Sequence, residues 1–170
     1  MLAQDSIAVL SIVGRSKTGK TTLIEKLIPL LKSRGLTIAT IKHHHGDFEI
    51  DREGKDTYRH KAAGAKAVLL TSPAKIALVM DVDKELKVQE IINKYIHDVD
   101  LVITEGYKRE SFPKIEVFNW KKDTYPVCLG DGSLIALVVD KRIDVTVQQF
   151  LRDDIAGIAE FILNFVKRKT

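Results

Sequence analysis

The spacing of apolar residues along the chain alternates between two periods. A short run of mainly β-branched residues at 7–13 ends at Gly14 and predicts a buried parallel strand. From 23 to 31 the apolar residues recur three and four positions apart, which predicts a helix that ends near Gly35. Pro29 lies inside this pattern, and we expect it to kink the helix or loosen its preceding turn.

The same alternation continues to the end of the chain. A short turn at Ser72-Pro73 separates two apolar runs and predicts an antiparallel hairpin at one edge of a sheet. Strands are predicted at 36–41, 67–70, 76–80, 101–104, 115–118 and 134–139, and helices at 85–95 and from 150 onward. Strands that alternate with helices predict an α/β fold, a mostly parallel sheet flanked by helices, in a single domain over 1–170.

Composition narrows the class of protein. The 170 residues are 45% hydrophobic, which is enough for one sizeable core, and the 27 basic and 23 acidic residues are dispersed along the chain. Without a polybasic tail, nucleic acid is not an expected partner. The one cysteine, Cys128, indicates a reducing compartment, and no apolar run approaches the ~20 residues of a membrane span. We therefore expect a cytoplasmic protein that has no membrane partner and no targeting segment.

The loop after the first predicted strand carries a phosphate-binding pattern. Residues 14–21 read GRSKTGKT, which matches G-x-x-x-x-G-K-S/T between a strand and a helix. Glycines let the backbone wrap around phosphate oxygens, and the amides at the helix start direct positive charge at them. Lys20 is expected to contact the β- and γ-phosphates and is a predicted catalytic residue, and the Thr21 hydroxyl is expected to coordinate Mg²⁺. The predicted nucleotide-binding residues of this loop are Gly14, Arg15, Ser16, Lys17, Thr18, Gly19, Lys20, Thr21 and Thr22.

An acidic residue follows another predicted strand. Glu105 follows the apolar run 101–104 and precedes Gly106, so it is expected at the carboxyl edge of the sheet, where α/β folds bind ligands. There it would hold the metal or orient the attacking water, which makes it a predicted catalytic and metal-binding residue. Asp51 is a competing metal-binding acid, because it lies in a segment rich in ionisable residues. The two assignments are not exclusive.

A basic and histidine-rich segment leaves the second predicted strand. We expect that strand to lie beside the phosphate-loop strand, which would bring the segment close to the nucleotide. Adjacent histidines on an extended chain point to opposite faces, and this argues against a dedicated zinc site. The residues predicted to meet a second anionic ligand are Lys42, His43, Lys55, Arg59 and Lys108.

Four stretches together resemble one known family. They read G-R-S-K-T-G-K-T-T-L, I-K-H-H-H-G-D-F-E-I-D-R-E-G-K-D-T-Y-R-H-K-A-A-G-A, T-E-G-Y-K and F-P-K-I-E-V, and they are similar to the molybdopterin-guanine dinucleotide biosynthesis protein B (MobB) family from about residue 7 to 139. The resemblance implies a P-loop NTPase-like fold, GTP and Mg²⁺ as ligands, weak GTPase activity and a homodimer. It also implies a partner, the guanylyltransferase MobA, which joins GMP to molybdopterin. Residues 14–22 would then bind phosphates, and 51–59 with Lys42 would lie at the nucleotide or pterin side.

Guanine preference has a less direct basis in the sequence. The N-K-x-D motif of common GTPases is missing, and Asp140, after the run 134–139, is the best remaining carboxylate to accept hydrogen bonds from guanine. Two other functions therefore stay open. One is a P-loop small-molecule kinase or ATP-dependent ligase, and the other is a carrier module for the pterin cofactor with nucleotide as a switch.

Overall fold

A computed structural model describes residues 7–121 and 124–169. The strands are β1 (Ala8–Val13), β2 (Ile38–Lys42), β3 (Ala67–Ser72), β4 (Lys75–Met80), β5 (Leu101–Glu105), β6 (Lys114–Val117), β7 (Leu134–Val139) and β8 (Gln148–Leu151). The helices are α1 (Lys20–Ser33), α2 (Asp56–Ala62), α3 (Val88–Tyr95) and α4 (Ile155–Lys167). The chain divides into two compact units. The large unit runs up to His43 and resumes at Ile96, and the small unit is His44–Tyr95. The single-domain organisation stays a prediction.

The large unit contains a six-stranded parallel sheet in the order β2-β5-β1-β6-β7-β8. This confirms the predicted α/β class with its parallel sheet. The expectation that β2 would lie beside the phosphate-loop strand β1 is wrong, because β5 pairs with both and separates them. Strand order in such sheets follows the crossover connections and cannot be deduced from strand order in the sequence. All six carboxyl ends lie at one edge, where ligands of open α/β sheets bind.

Helices α1 and α4 supply apolar faces to the core of this sheet. Leu27 and Leu31 of α1 are completely buried, in one cluster with Leu10 of β1 and with Ile158 and Ile162 of α4. Their spacing of three and four residues is the one that places side chains on a single helix face. Helix α1 continues through the exposed Pro29 as far as Ser33. The core therefore fixes the start of α1 against the end of β1.

The end of the chain differs from the sequence prediction. Gln148–Leu151 is strand β8, and the last helix begins at Ile155 and not at 150. The Asp154 carboxylate caps that helix by accepting from the Gly157 N–H at 3.0 Å. Phe150 of β8 is buried, and its ring centroid lies 5.3 Å from that of Phe161 in α4. The apolar residues of β8 also fit helical spacing, which is why the sequence predicts one helix from 150 where the structure has a strand followed by a helix.

The small unit holds a separate sheet. β3 and β4 form an antiparallel hairpin in which Leu69 lies opposite Leu78. The predicted hairpin is confirmed, but it forms its own two-stranded sheet and does not join the edge of the six-stranded one. The unit also contains the short helix α2, which the apolar pattern did not predict, and α3, which it did. Across the described residues, every helix is too short or too polar to cross a membrane.

Candidate nucleotide-binding site

Two glycines make the loop between β1 and α1 possible. Gly14 has φ of 138°, and a Cβ there would lie 2.5 Å from the Val117 carbonyl oxygen of β6. Gly19 has φ of 96°, and a Cβ there would lie 2.7 Å from Nη1 of Arg152. Both backbone conformations favour glycine; at Gly14 a backbone oxygen leaves no room for a Cβ, and at Gly19 a Cβ would displace the Arg152 guanidinium. The loop is thus packed tightly against β6 on one side and Arg152 on the other.

Side chains of the loop bond back to its own carbonyls. The buried Thr18 hydroxyl donates to the Arg15 carbonyl at 3.0 Å. Lys20 Nζ donates to the same carbonyl at 2.7 Å and to that of Gly14 at 3.3 Å. The ammonium group therefore lies over the loop at the start of α1, where helix amides and dipole favour an anion. Other predicted nucleotide-binding residues, Arg15, Ser16, Lys17, Thr21 and Thr22, are exposed.

The carboxylate of Glu105 meets the start of α1. The Thr21 hydroxyl donates to it, with Oγ1 3.1 Å from each carboxylate oxygen, and Lys42 Nζ lies 3.7 Å from its Oε1. The strand register produces this meeting, because Glu105 of β5 lies opposite Ile12 of β1 and Lys42 of β2. We call Thr21, Glu105 and Lys42 the carboxylate flank of the loop. The Thr21 hydroxyl and Glu105 carboxylate oxygens are hard donors of the kind that Mg²⁺ takes, so these two residues fit the ion.

Thr21 and Glu105 are not part of a larger cluster of metal-binding side chains in the described part of the chain. Within 7–121 and 124–169, no three histidine, cysteine, aspartate or glutamate side chains are grouped so that they could hold a metal. Mg²⁺ tolerates such a sparse set, since it commonly uses one or two carboxylates together with waters and substrate phosphates. Asp51 lies in the small unit, where hydrogen bonds from the Thr57 side chain and the Arg52 N–H lower the pKa of its carboxyl. Its role as a metal ligand stays a prediction.

The residues predicted to meet a second anion fall in different places. In the large unit the His43 N–H donates to the Glu105 carbonyl at 3.1 Å, and the His43 ring lies 4.8 Å from that of Tyr107. Lys42 is at the carboxylate flank, and Lys108 is exposed. Lys55 and Arg59 belong to the small unit, at the start of α2 and within it. The second-anion site stays a prediction for all five, Lys42, His43, Lys55, Arg59 and Lys108.

A cavity of about 490 Å³ opens on the other side of the phosphate loop. Its walls come from the loop, the start of α1 and the segments after β6, β7 and β8. Among the lining residues are Thr22, Asn119, Lys121, Asp140 and Arg152. Asp140 was predicted from the sequence to contact guanine, but Asn119, Lys121 and Arg152 were not singled out. The sequence predicts Arg152 within the last helix, away from the site, whereas it lies in the turn after β8.

Two charged residues of β6, Lys114 and Glu116, bond to the segment 127–131 that precedes β7. Glu116 is 1% exposed and accepts hydrogen bonds from the backbone N–H groups of Val127 and Cys128 at 2.7 and 2.8 Å. Burial and the nearby Glu116 charge raise the pKa of the Cys128 thiol to about 11, which makes it a poor nucleophile. Lys114 is equally buried and pairs with the Asp131 carboxylate. That ion pair, with hydrogen bonds from Ser133, holds the pKa of Asp131 below its usual range.

In the parallel sheet, the central strand β1 leads directly into a glycine-rich phosphate loop. At the end of the neighbouring strand β5, the Glu105 carboxylate contacts the Thr21 hydroxyl. This arrangement defines a P-loop NTPase-like α/β protein. A family model described as "Molybdopterin guanine dinucleotide synthesis protein B" matches residues 9–140. The chain therefore belongs to the MobB family. This confirms the resemblance seen in its sequence motifs.

Similar proteins agree with this family. A molybdopterin-guanine dinucleotide biosynthesis adapter protein of Haemophilus influenzae is 33% identical, covering 95% of this chain and 91% of the relative. The protein of the same name from Escherichia coli is 32% identical and covers 99% of both chains. The crystal structure of a molybdopterin-guanine biosynthesis protein B has a TM-score of 0.76 at 34% identity, over 94% of this chain and 99% of that one. The structure of Bacillus subtilis MobB, at 23% identity, has a TM-score of 0.74 and supports the fold.

Proposed function

We propose that this chain is a GTP-binding adapter in molybdopterin guanine dinucleotide biosynthesis. The adapter role is supported by the two relatives of that name, which are similar over nearly the full length. GTP and Mg²⁺ binding is supported by one observation above all, the meeting of Thr21 and Glu105 beside the phosphate loop. The proposed partner is the guanylyltransferase MobA, with molybdopterin as the acceptor, in the cytoplasm.

The proposed binding mode assigns one task to each part of the loop. The amides of 14–19 and the ammonium of Lys20 hold the phosphates. Thr21 and Glu105 would hold Mg²⁺, which would supply positive charge beside the phosphate oxygens. Glu105 also orients the attacking water from its position at the end of β5. Lys42 Nζ, 3.7 Å from Oε1 of Glu105, orients that carboxylate through their ion pair.

Hydrolysis by the chain alone is proposed to be slow. In related chemistry a cationic residue that a partner supplies accelerates phosphoryl transfer by ~10³–10⁵. In this chain Arg152, which contacts the phosphate loop, already donates to the Thr18 and Phe118 carbonyls and to the Asp140 carboxylate, so its guanidinium is committed to those groups. Weak GTPase activity is therefore part of the proposal.

Guanine preference is proposed to come from Asp140. Its carboxylate lines the cavity beside the loop, and a carboxylate accepts from the N1–H and N2–H groups of guanine. Adenine lacks that pair of donors, so the same carboxylate would discriminate against it. Lysine and asparagine donors of the cavity wall, Lys121 and Asn119, suit the guanine acceptors O6 and N7.

A homodimer is proposed on the hairpin of the small unit. One hairpin face carries Leu69, Ile76, Leu78 and Met80, and the first two are 59% and 70% exposed. An exposed apolar face of this kind marks an interaction site, and an isolated two-stranded hairpin is marginally stable in water. Within the described residues each of its strands pairs on one side only, so a second copy can add its own hairpin by two-fold symmetry.

The first test is a titration with fluorescent GTP and ATP analogues, with and without Mg²⁺. The proposal expects Mg²⁺-dependent binding and a preference for GTP. Lys20→Ala should weaken binding at least tenfold, since a charge-assisted bond contributes ~1.5–3 kcal/mol. Lys32→Ala is the matched control, because it removes the same charge from the exposed end of the same helix. Preference for ATP together with a phosphorylated small-molecule product would instead support the kinase or ligase alternative.

A further inference from the structure

Arg152 connects three segments at the rim of the proposed nucleotide site. Its Nη1 donates to the Thr18 carbonyl of the phosphate loop at 2.7 Å, and its Nη2 donates to the Phe118 carbonyl after β6 at 3.0 Å. Its Nε donates to Asp140 after β7 at 2.6 Å. The Arg152 backbone N–H also donates to the Val139 carbonyl at 3.0 Å, which fixes the residue at the end of β7. A single side chain thus ties the phosphate loop to the base-side wall of the cavity.

We propose that Arg152 is a positioning residue that couples the phosphate loop to Asp140. A change at Asp140 would then alter the affinity of the loop for phosphate. The inference rests on the proposed nucleotide binding and deepens it. Arg152 bonds both to the Asp140 carboxylate and to the Thr18 carbonyl of the phosphate loop. Loss of the contact with Asp140 or of the contact with Thr18 should therefore allow the guanidinium to move, which would weaken the remaining contact.

Only arginine can make this connection. The planar guanidinium carries five N–H donors in a fixed fork, and the bonds to Thr18, Phe118 and Asp140 leave from all three of its nitrogens. Lysine would offer one ammonium point and could not reach acceptors in three directions. Gly19 is also required for these contacts, because a Cβ there would lie 2.7 Å from Nη1 of Arg152 and would displace the guanidinium.

The decisive measurement uses inorganic tripolyphosphate, which has no base and reports on the phosphate loop alone. Its affinity is measured by competition against fluorescent GTP, for the wild type, Asp140→Ala and Arg152→Lys. The proposal expects Asp140→Ala to weaken tripolyphosphate binding by about threefold, through the released Arg152, and Arg152→Lys to weaken it about tenfold. Removal of a negative charge would by itself strengthen the binding of an anion, so the two explanations differ in sign.

A double variant and a control complete the experiment. In the Arg152→Lys background, Asp140→Ala should cause no further loss of tripolyphosphate affinity, because the coupling is already broken. Arg34→Lys is the matched control, since Arg34 is exposed and pairs only at the surface with Glu160 at 3.5 Å. Stronger or unchanged tripolyphosphate binding by Asp140→Ala overturns the inference. If Arg152→Lys does not fold, the Asp140→Ala result still decides it.

The outcomes separate this inference from the proposed function. A wild type that binds neither tripolyphosphate nor either nucleotide defeats the proposed function and the inference with it. A wild type that prefers GTP, combined with an Asp140→Ala variant that binds tripolyphosphate as tightly as before, defeats the inference alone.

Discussion

Two glutamates lie on the strands that flank β1, at nearly the same level along it, but they differ in exposure and in hydrogen-bond partners. Glu105 ends β5 opposite Ile12, and Glu116 lies in β6 opposite Val13. The Glu105 side chain is 16% exposed and contacts an exposed hydroxyl and an exposed ammonium group. Glu116 is 1% exposed and is occupied by two backbone N–H groups.

The difference shows how neighbours assign a role to a carboxylate. Backbone N–H groups that are fixed in a folded loop cannot leave, so Glu116 is committed to holding 127–128 in place. The hydroxyl of Thr21 and the ammonium of Lys42 are side-chain groups at the surface, and both can reorient around a ligand. Glu105 is therefore suited to a metal, whereas Glu116 is suited to structure.

The largest effect is expected at Glu116. Glu116→Ala should lower the free energy of unfolding by about 2–3 kcal/mol, because it leaves the N–H groups of Val127 and Cys128 without their acceptor. Chemical denaturation measures this value. Glu25→Ala, on the exposed face of α1, is the control and should stay within about 0.5 kcal/mol of wild type. Equal stability of the two variants would contradict the structural role of Glu116.

A smaller effect with a different signature is expected at Glu105. Glu105→Gln should reduce the gain in GTP affinity that Mg²⁺ provides by roughly tenfold, since an amide is a poorer ligand for the ion than a carboxylate. Titrations with and without Mg²⁺ measure that gain. Glu110→Gln, in the loop after β5, provides the control. If the ratio of the two affinities is the same in Glu105→Gln and wild type, Glu105 does not hold the metal.

The smallest effect concerns the other charged residue of β6. Lys114 and Ser133 lower the pKa of Asp131, so this carboxylate stabilises the fold above the unfolded pKa of about 4. As the pH falls below that value the unfolded carboxyl takes up a proton first, so the contribution decreases, and it is lost entirely once the pH falls through the lower pKa of the folded protein. The stability advantage of wild type over Asp131→Asn should therefore shrink between pH 5 and pH 3. A constant difference between the two unfolding curves over that range would show that the ion pair contributes nothing to folding.

Local patterns predicted most of the elements. The run 7–13, the helical spacing at 23–31 and the turn at Ser72-Pro73 correspond to β1, α1 and the β3–β4 hairpin. Each of these is encoded within a few neighbouring residues, by β-branching, by spacing on one helix face, or by a turn. β8 escaped prediction because its residues fit helical spacing too, and with it Arg152 was placed in the wrong element. Only pairing with β7 distinguishes the strand from a first helical turn.

The sequence by itself determined the parallel α/β class, the phosphate loop at 14–21 and the family, because those depend on short-range spacing and on residue types that nothing else can replace. The tertiary structure decided which strands are neighbours. It placed β5 between β1 and β2, brought Glu105 to Thr21, and buried Glu116. It also brought Arg152 to Thr18, although 134 positions separate them in the chain. Contacts of that range arise when crossovers bring the ends of distant parallel strands to one edge, and no local pattern of apolar residues records them.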